Sequence, residues 1–209
     1  MTSLINQRGI PFVLSAPSGG GKTTIYKELL KRRDNFFFSI SATTRPPRAN
    51  EKDGREYYFL SEEEFLSRRT AGRFIENAEV HGLYYGTPRE PLEQALATGQ
   101  DVILDVDIQG ADSIRRIFNE AVLIFIVPPD METLRHRLES RGSDATEVIE
   151  RRLKNALHEL RQVNDYHYVV INDELETAVQ ATLAIIEAEH HSRPRLRTQL
   201  LQRFPQLND

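Results

Sequence analysis

Residues 15–24 read Ser-Ala-Pro-Ser-Gly-Gly-Gly-Lys-Thr-Thr and follow directly on the apolar run 10–14. This segment narrows the possible folds more than any other. A short buried strand must feed a turn of small residues, and a helix with Ile25, Leu29 and Leu30 on one face must leave it. Small residues let successive backbone N–H groups converge on phosphate oxygens, and the helix N-terminus adds partial positive charge at the same point. In such a loop Lys22 reaches the β- and γ-phosphates, and the Thr23 hydroxyl ligates Mg²⁺. The usual pattern opens on Gly where this chain has Ala16, which is small but ill-suited to a positive φ. A plain glycine-rich turn is the competing reading, and the Lys-Thr pair at the expected offset argues against it.

The rest of the chain alternates strand and helix, the pattern of an α/β fold around a mainly parallel sheet. Strands are expected over 11–15, 36–41, 101–107, 122–127 and 168–172. The last three are nearly continuous apolar runs, as when both sheet faces are covered. Helices are expected from a capping box at Thr87-Pro-Arg-Glu90 to Gly99, and over about 130–141, 146–163 and 174–190. Pro194 interrupts the last, leaving a polar tail, 191–209. Residues 43–87 break the alternation. They contain Arg-Pro-Pro-Arg, a Tyr-Tyr-Phe run and a second capping box at Ser61, and they read as a small lobe inserted into the core. The patch 142–146, between two Arg-rich helices, reads as a hinge for a lid.

With 209 residues the chain suits one large domain with inserted lobes. A formal net charge of −4 argues against nucleic acid as partner, so an anionic substrate needs a local cluster of Lys and Arg. No cysteine is present, which excludes disulfides and thiolate metal sites. The longest apolar run, 121–127, is far too short to span a bilayer, and the N-terminus lacks a signal-peptide core. A cytoplasmic location without a membrane partner is the expectation. Monomer and homo-oligomer both stay open. None of the six histidines shows metal-ligand spacing.

Arg45 and Arg48 sit three apart on a Pro-stiffened segment, and Arg grips phosphate with a bidentate fork. A solvated loop would also carry such arginines. Tyr57 and Tyr85 offer hydroxyl donors to phosphate, although packing alone explains many half-buried tyrosines. Glu76 is a carboxylate inside an apolar stretch, Phe74 to Ala78. It must point outward or meet a donor, and a purine with N1–H and N2–H would be one. Asp105 and Asp107 fall on one face at the end of the third strand by period two. The carboxyl end of a parallel strand is where ligands bind in open sheets. One of the two suits Mg²⁺ or its waters, and the spacing does not say which. Arg137 and Arg141 share a helix face, and Arg151 and Arg152 sit on the next helix. Lid arginines can deliver positive charge to a transferring phosphoryl group.

Taken in order, these motifs resemble the guanylate kinase family. The pieces are Ser15-Ala-Pro-Ser-Gly-Gly-Gly-Lys-Thr, Ser39-Ile-Ser-Ala-Thr-Thr-Arg-Pro-Pro-Arg, Gly54-Arg-Glu-Tyr-Tyr-Phe, Phe74-Ile-Glu, Tyr84-Tyr-Gly-Thr, Ile103-Leu-Asp-Val-Asp-Ile-Gln-Gly and Arg151-Arg-Leu. The likeness runs from about residue 11 to 190. It implies a P-loop NTPase-type three-layer fold with a parallel five-stranded sheet. The core would be 10–42, 88–136 and 159–190, the nucleotide-monophosphate lobe 43–87, the lid 137–158 and the peripheral tail 191–209. It implies Mg²⁺-ATP-dependent phosphorylation of GMP, with dGMP as a further acceptor, in purine nucleotide metabolism. By the same resemblance ATP lies on Ser15, Ala16, Pro17, Ser18, Gly19, Gly20, Gly21, Lys22, Thr23 and Thr24, with Asn172 near adenine. Arg45, Arg48, Tyr57 and Tyr85 hold the GMP phosphate. Ser41, Glu76, Thr87 and Asp107 read the guanine, with Asp105 close by. Lys22, Arg45, Arg137, Arg141 and Arg152 carry the catalytic charge, and Thr23 and Asp105 serve the metal. Two alternatives share the scaffold: a kinase for another phosphorylated acceptor, and a binding module without catalysis. The intact Lys22 and Thr23 oppose the second, and the purine-reading set opposes the first.

Overall fold

The computed structural model describes residues 8–80, 82–140 and 145–208. Five parallel strands form the main sheet: β1 (Pro11–Ser15), β2 (Phe36–Ser39), β7 (Asp101–Asp105), β8 (Val122–Val127) and β9 (Tyr168–Ile171), in the order β2-β7-β1-β8-β9. Successive side chains alternate between two apolar layers. Phe12, Leu14, Ile103 and Ile124 face the side covered by α1 (Lys22–Arg32) and α7 (Leu175–His190). Val13, Val102, Leu104 and Leu123 face α3 (Arg89–Ala97) and α4 (Ile108–Ile117). Covering both faces is what the continuous apolar runs of β7 and β8 required, whereas β9 departs from that expectation: it is an edge strand, and its Val169 and Ile171 are exposed. Each large side chain buried this way contributes about 1.5–3 kcal/mol.

A second, four-stranded sheet orders as β4-β3-β6-β5, from β3 (Ala42–Thr43), β4 (Tyr58–Phe59), β5 (Phe74–Val80) and β6 (Leu83–Pro88). Its own small core is Ala42, Phe65 and Phe74, with Phe65 from α2 (Glu62–Thr70) stacked on Phe74 at 4.5 Å. Ser61 caps α2 by accepting from Glu64 N–H, as the capping-box reading expected. A third apolar cluster joins α5 (Met131–Glu139) to α6 (Thr146–Leu160), from Leu134, Leu138, Ile149, Leu153 and Ala156.

Several local expectations need correction. The capping box at Thr87 does not form: α3 starts at Arg89, its N-cap is Pro88, and no side chain caps it. Thr87 is instead the penultimate residue of β6, and its hydroxyl is engaged elsewhere. The third strand stops at Asp105, so Asp107 is no longer a strand residue. Asp107 is the N-cap of α4, and its Oδ1 accepts from Gly110 N–H at 2.8 Å. The first turn of α4 thus competes with strand extension for the same backbone. The helix expected to reach 163 ends at Leu160 and tightens into a 3₁₀ turn, Arg161–Asp165. Pro194 opens a new helix, α8 (Arg193–Arg203), so the polar tail is largely helical. Proline at the first turn gives up an N–H that would be unpaired anyway. Arg141 and most of the proposed hinge at 142–146 lie outside the described residues.

Candidate active site

Register sets the site. Leu14 lies opposite Asp105 in the β1–β7 pair, so the loop leaves β1 beside the end of β7. The loop turns through Gly19 and Gly21, both at φ 92°, a conformation that residues with a Cβ rarely adopt. At Gly21 a Cβ would also stand 2.1 Å from Asn172 Nδ2. That amide is buried and donates to the Gly20 carbonyl at 2.9 Å, pinning the loop to the end of β9. Ala16 packs its methyl against the core, while the left-handed turns fall on the glycines.

Lys22 opens α1 and its Nζ donates to the Val106 carbonyl at 2.8 Å and meets Asp105 Oδ1 at 2.5 Å. Ser15, fully buried, also donates to Val106 O. Thr23 and Thr24 are exposed on the first turn of α1. Arg137 of α5 donates from Nη2 to the Asn172 carbonyl at 2.8 Å. Its Nη1 is buried with no hydrogen-bond partner among the described residues, and it sits 3.9 Å from where a Gly21 Cβ would be. A buried, unpaired guanidinium N–H beside a loop of amides is suited to an anionic oxygen. Arg152 is half-buried on α6.

Across the cleft a cavity of about 250 Å³ is lined by Lys22, Ser41, Tyr57, Glu76, Tyr85, Asp105 and Asp107, among others. Glu76 accepts from the Thr87 hydroxyl at 2.6 Å. Burial pushes its pKa up, Thr87 works the other way, and the Asp107 charge adds to the rise. Tyr57 and Tyr85 meet edge to face, with ring centroids 6.2 Å apart. The Arg45 guanidinium lies over the Tyr57 ring at 5.4 Å. Burial and the Asp105 charge raise the Tyr57 pKa, so its hydroxyl stays a donor. Arg48 is exposed.

The structure adds two carboxylates that sequence reasoning did not single out. Glu51 takes both of its oxygens to Arg45 Nη2, at 2.9 Å each, and accepts from Arg48 N–H at 2.8 Å. Burial works against that carboxylate, but the Arg48 amide and the Arg45 cation outweigh it and lower its pKa. Glu51 lies three residues past Arg48, and a loop offers no periodicity to mark it. Glu159, on the last turn of α6, accepts from Ser18 N–H at 3.2 Å. It is 141 residues away in the chain, beyond the reach of any spacing argument.

A larger cavity of about 910 Å³ lies between α8 and the amino ends of β8 and β9, lined by Ala121, Val122, His167 and Arg195 among others. Ligands of open α/β sheets bind at the carboxyl ends, where the loop is.

Residues 8–189 match the family model described as guanylate kinase. The chain is 50% identical to the guanylate kinase of Nitrosomonas europaea over 178 residues, 85% of this chain and 89% of that one. It is 47% identical to that of Chelativorans sp. strain BNC1 over 199 residues, 93% and 91% of the two chains. The crystal structure of guanylate kinase from Anaplasma phagocytophilum superposes with a TM-score of 0.79 at 37% identity, covering 97% of this chain and 99% of that one. Neither a different acceptor nor a binding-only module is needed to account for these matches. With its parallel five-stranded sheet and likeness over nearly its whole length, the chain belongs to the guanylate kinase family, enzymes that phosphorylate GMP at the expense of ATP.

Proposed function

We propose that the loop from Ser15 to Thr24 holds the ATP phosphates while the 43–87 lobe holds GMP, and that the two meet across the 250 Å³ cavity. The observation that carries this reading is that Lys22 and Glu76 line the same cavity. Lys22 belongs to the donor loop. Glu76 is the one carboxylate of the second sheet in that lining. A nucleotide monophosphate placed there has its base toward Glu76 and its phosphate toward the loop.

Arg45, Arg48, Tyr57 and Tyr85 grip the GMP phosphate in this reading. Glu76 accepts N1–H and N2–H of guanine, Thr87 orients Glu76, and Ser41 and Asp107 complete the base contacts. Adenine offers a bare N1 acceptor at that place, so AMP sets an acceptor against the half-buried Glu76 carboxylate instead of two donors. Arg137, Arg152 and Arg141 neutralise the transferring group as the 137–158 lid closes. Asn172 supports the loop from beside the adenine end. The GMP phosphate is already anionic and attacks in line without a general base, so positioning and charge neutralisation carry the reaction.

The donor set fits Mg²⁺. Among the described residues no group of three or more His, Cys, Asp or Glu is arranged around one point. Magnesium in kinases is held mainly by substrate phosphates and water, with one or two protein oxygens. The exposed Thr23 hydroxyl and the Asp105 carboxylate, whose Oδ1 also meets Lys22, would supply those, while Asp107 Oδ1 is engaged by Gly110. A bound Mg²⁺ would supply charge neutralisation for the transferring phosphoryl group. The substrates and the cysteine-free composition support a place in cytoplasmic purine nucleotide metabolism. No helix among the described residues is long and apolar enough to cross a membrane.

The test is ADP release with GMP, dGMP, AMP, UMP and CMP as acceptors. GMP is expected to exceed AMP by on the order of 10⁴-fold in kcat/KM. Comparable use of AMP would remove Glu76 from the base-reading role.

A further inference from the structure

The α5–α6 hairpin touches the phosphate loop at three points. Leu134 and Leu138 lie so close to Gly19 that a Cβ there would sit 2.9 and 3.0 Å from them. Arg137 reaches the Gly21 end, as described above. At the third point Glu159 accepts the Ser18 N–H. The first two contacts suit a bound nucleotide: one is apolar, the other cationic. The third does not, because it sets a carboxylate on an amide of a loop whose chemistry is to bind anionic oxygens.

Glu159 is half-buried, so water screens its charge only in part. Burial raises its pKa; the Ser18 amide and Lys22 favour the carboxylate, and Asp107 opposes it. The group therefore stands within the field of the two charges that flank the donor site.

We infer that Glu159 competes with the terminal phosphate of ATP for the Ser18 N–H, holding that amide until the phosphate displaces it. This rests on the reading of the loop as the ATP site and deepens it. Ser18 is exposed at the rim of the loop, and Gly20, Gly21 and Lys22, buried or half-buried, form its base. A diphosphate can occupy the base without meeting the carboxylate at the rim. A triphosphate brings its terminal oxygens toward Ser18 and meets a like charge. Release of Glu159 frees the C-terminal end of α6, so arrival of the third phosphate is transmitted to the hairpin that carries Arg137 and Arg152. The carboxylate thus weighs against ATP and not against ADP.

Glu159→Gln keeps the shape and an acceptor oxygen while removing the charge. Dissociation constants for Mg-ATP and Mg-ADP are measured by calorimetry on the full chain, wild type and variant. Mg-ATP is expected to bind about 3- to 10-fold more tightly in the variant, with Mg-ADP unchanged. Glu159→Asp, which retracts the charge, is expected to fall between the two, and it serves if the Gln variant does not fold. KM for ATP should fall in the variant and KM for GMP should stay constant. An unchanged ATP-to-ADP affinity ratio in both variants overturns the inference while leaving the donor site in place. If neither nucleotide binds the wild-type chain, the donor-site reading itself fails and the inference falls with it.

Discussion

The Lys22 ammonium lies 2.5 Å from Asp105 Oδ1, and the two side chains are 17% and 25% exposed. The pair joins the first helical residue after the loop to the last residue of β7. It parks the ammonium at the mouth of the cavity, with Val106 O as its second acceptor. Two partly buried charges hold each other in the place where a phosphate chain would lie between the loop and the acceptor.

Replacing Lys22 by Ala should therefore do two things. It should lower kcat by about 10²–10³-fold or more, because the proposed mechanism aims that charge at the transferring phosphate. It should also leave Asp105 without its cation, so Lys22→Met with Asp105→Asn should be more stable than Lys22→Met alone. Steady-state kinetics with GMP and thermal melts of the variants test these. Near-normal kcat in Lys22→Ala would remove the loop from the mechanism.

Glu76 carries a pH signature. Its folded pKa is raised by burial, so between its ordinary carboxyl value and the raised one the folded state holds more protons than the unfolded state. Glu76 therefore contributes a loss of stability that is absent below that window and grows as pH rises through it. Glu76→Gln removes the loss, so its melting temperature should gain on wild type between pH 4 and pH 7. The same variant should raise KM for GMP by about 10²-fold or more and leave Mg-ATP binding unaltered. Melting curves at both pH values and calorimetry with each nucleotide separate the effects.

Glu51 positions Arg45, the arginine proposed to hold the GMP phosphate. Losing it frees Arg45 from a bidentate clamp and Arg48 from its turn. Glu51→Ala should raise KM for GMP about 10-fold without moving KM for ATP. A fall in KM for GMP would mean that Glu51 competes with the substrate phosphate rather than orienting its partner.

Gly21→Ala tests the loop as a shaped object. The added methyl meets Asn172 Nδ2 and a left-handed backbone at once. Strain at such a position costs about 1–2 kcal/mol, and the displaced amide loses its bond to Gly20. A lower melting temperature together with lost Mg-ATP binding is expected. Asn172→Ala should weaken ATP binding in the same direction with a smaller effect.

Closure is the last prediction. If the 43–87 lobe and the 137–158 lid both move toward the loop, GMP with a non-hydrolysable ATP analogue should compact the chain more than either ligand alone. Small-angle scattering that does not change with both ligands present would leave the cavity as a rigid cleft.

Much of this site can be read along the chain, because its grammar is local. The offset of Lys22 and Thr23 from the glycines, the apolar runs of β1, β7 and β8, and the Arg-Pro-Pro-Arg segment each lie within about ten residues. Periodicity mistook two ends. It carried β7 on to Asp107, where the side chain caps α4 instead, and a capping-box motif gave Thr87 to α3, where the hydroxyl serves Glu76. At a strand–helix junction one Asp or Thr satisfies either element, and local propensity cannot choose between them.

What the sequence by itself determined is the parallel α/β scaffold and the family, since these follow from residue order and spacing. What only the tertiary structure decided is which charges meet. Lys22 with Asp105, Arg137 with Asn172 and Glu159 with Ser18 are each brought together across the end of the sheet from far apart in the chain. The physical reason is that partner choice for a partly buried charge depends on what packing leaves within about 3 Å, and packing is settled by the whole core at once.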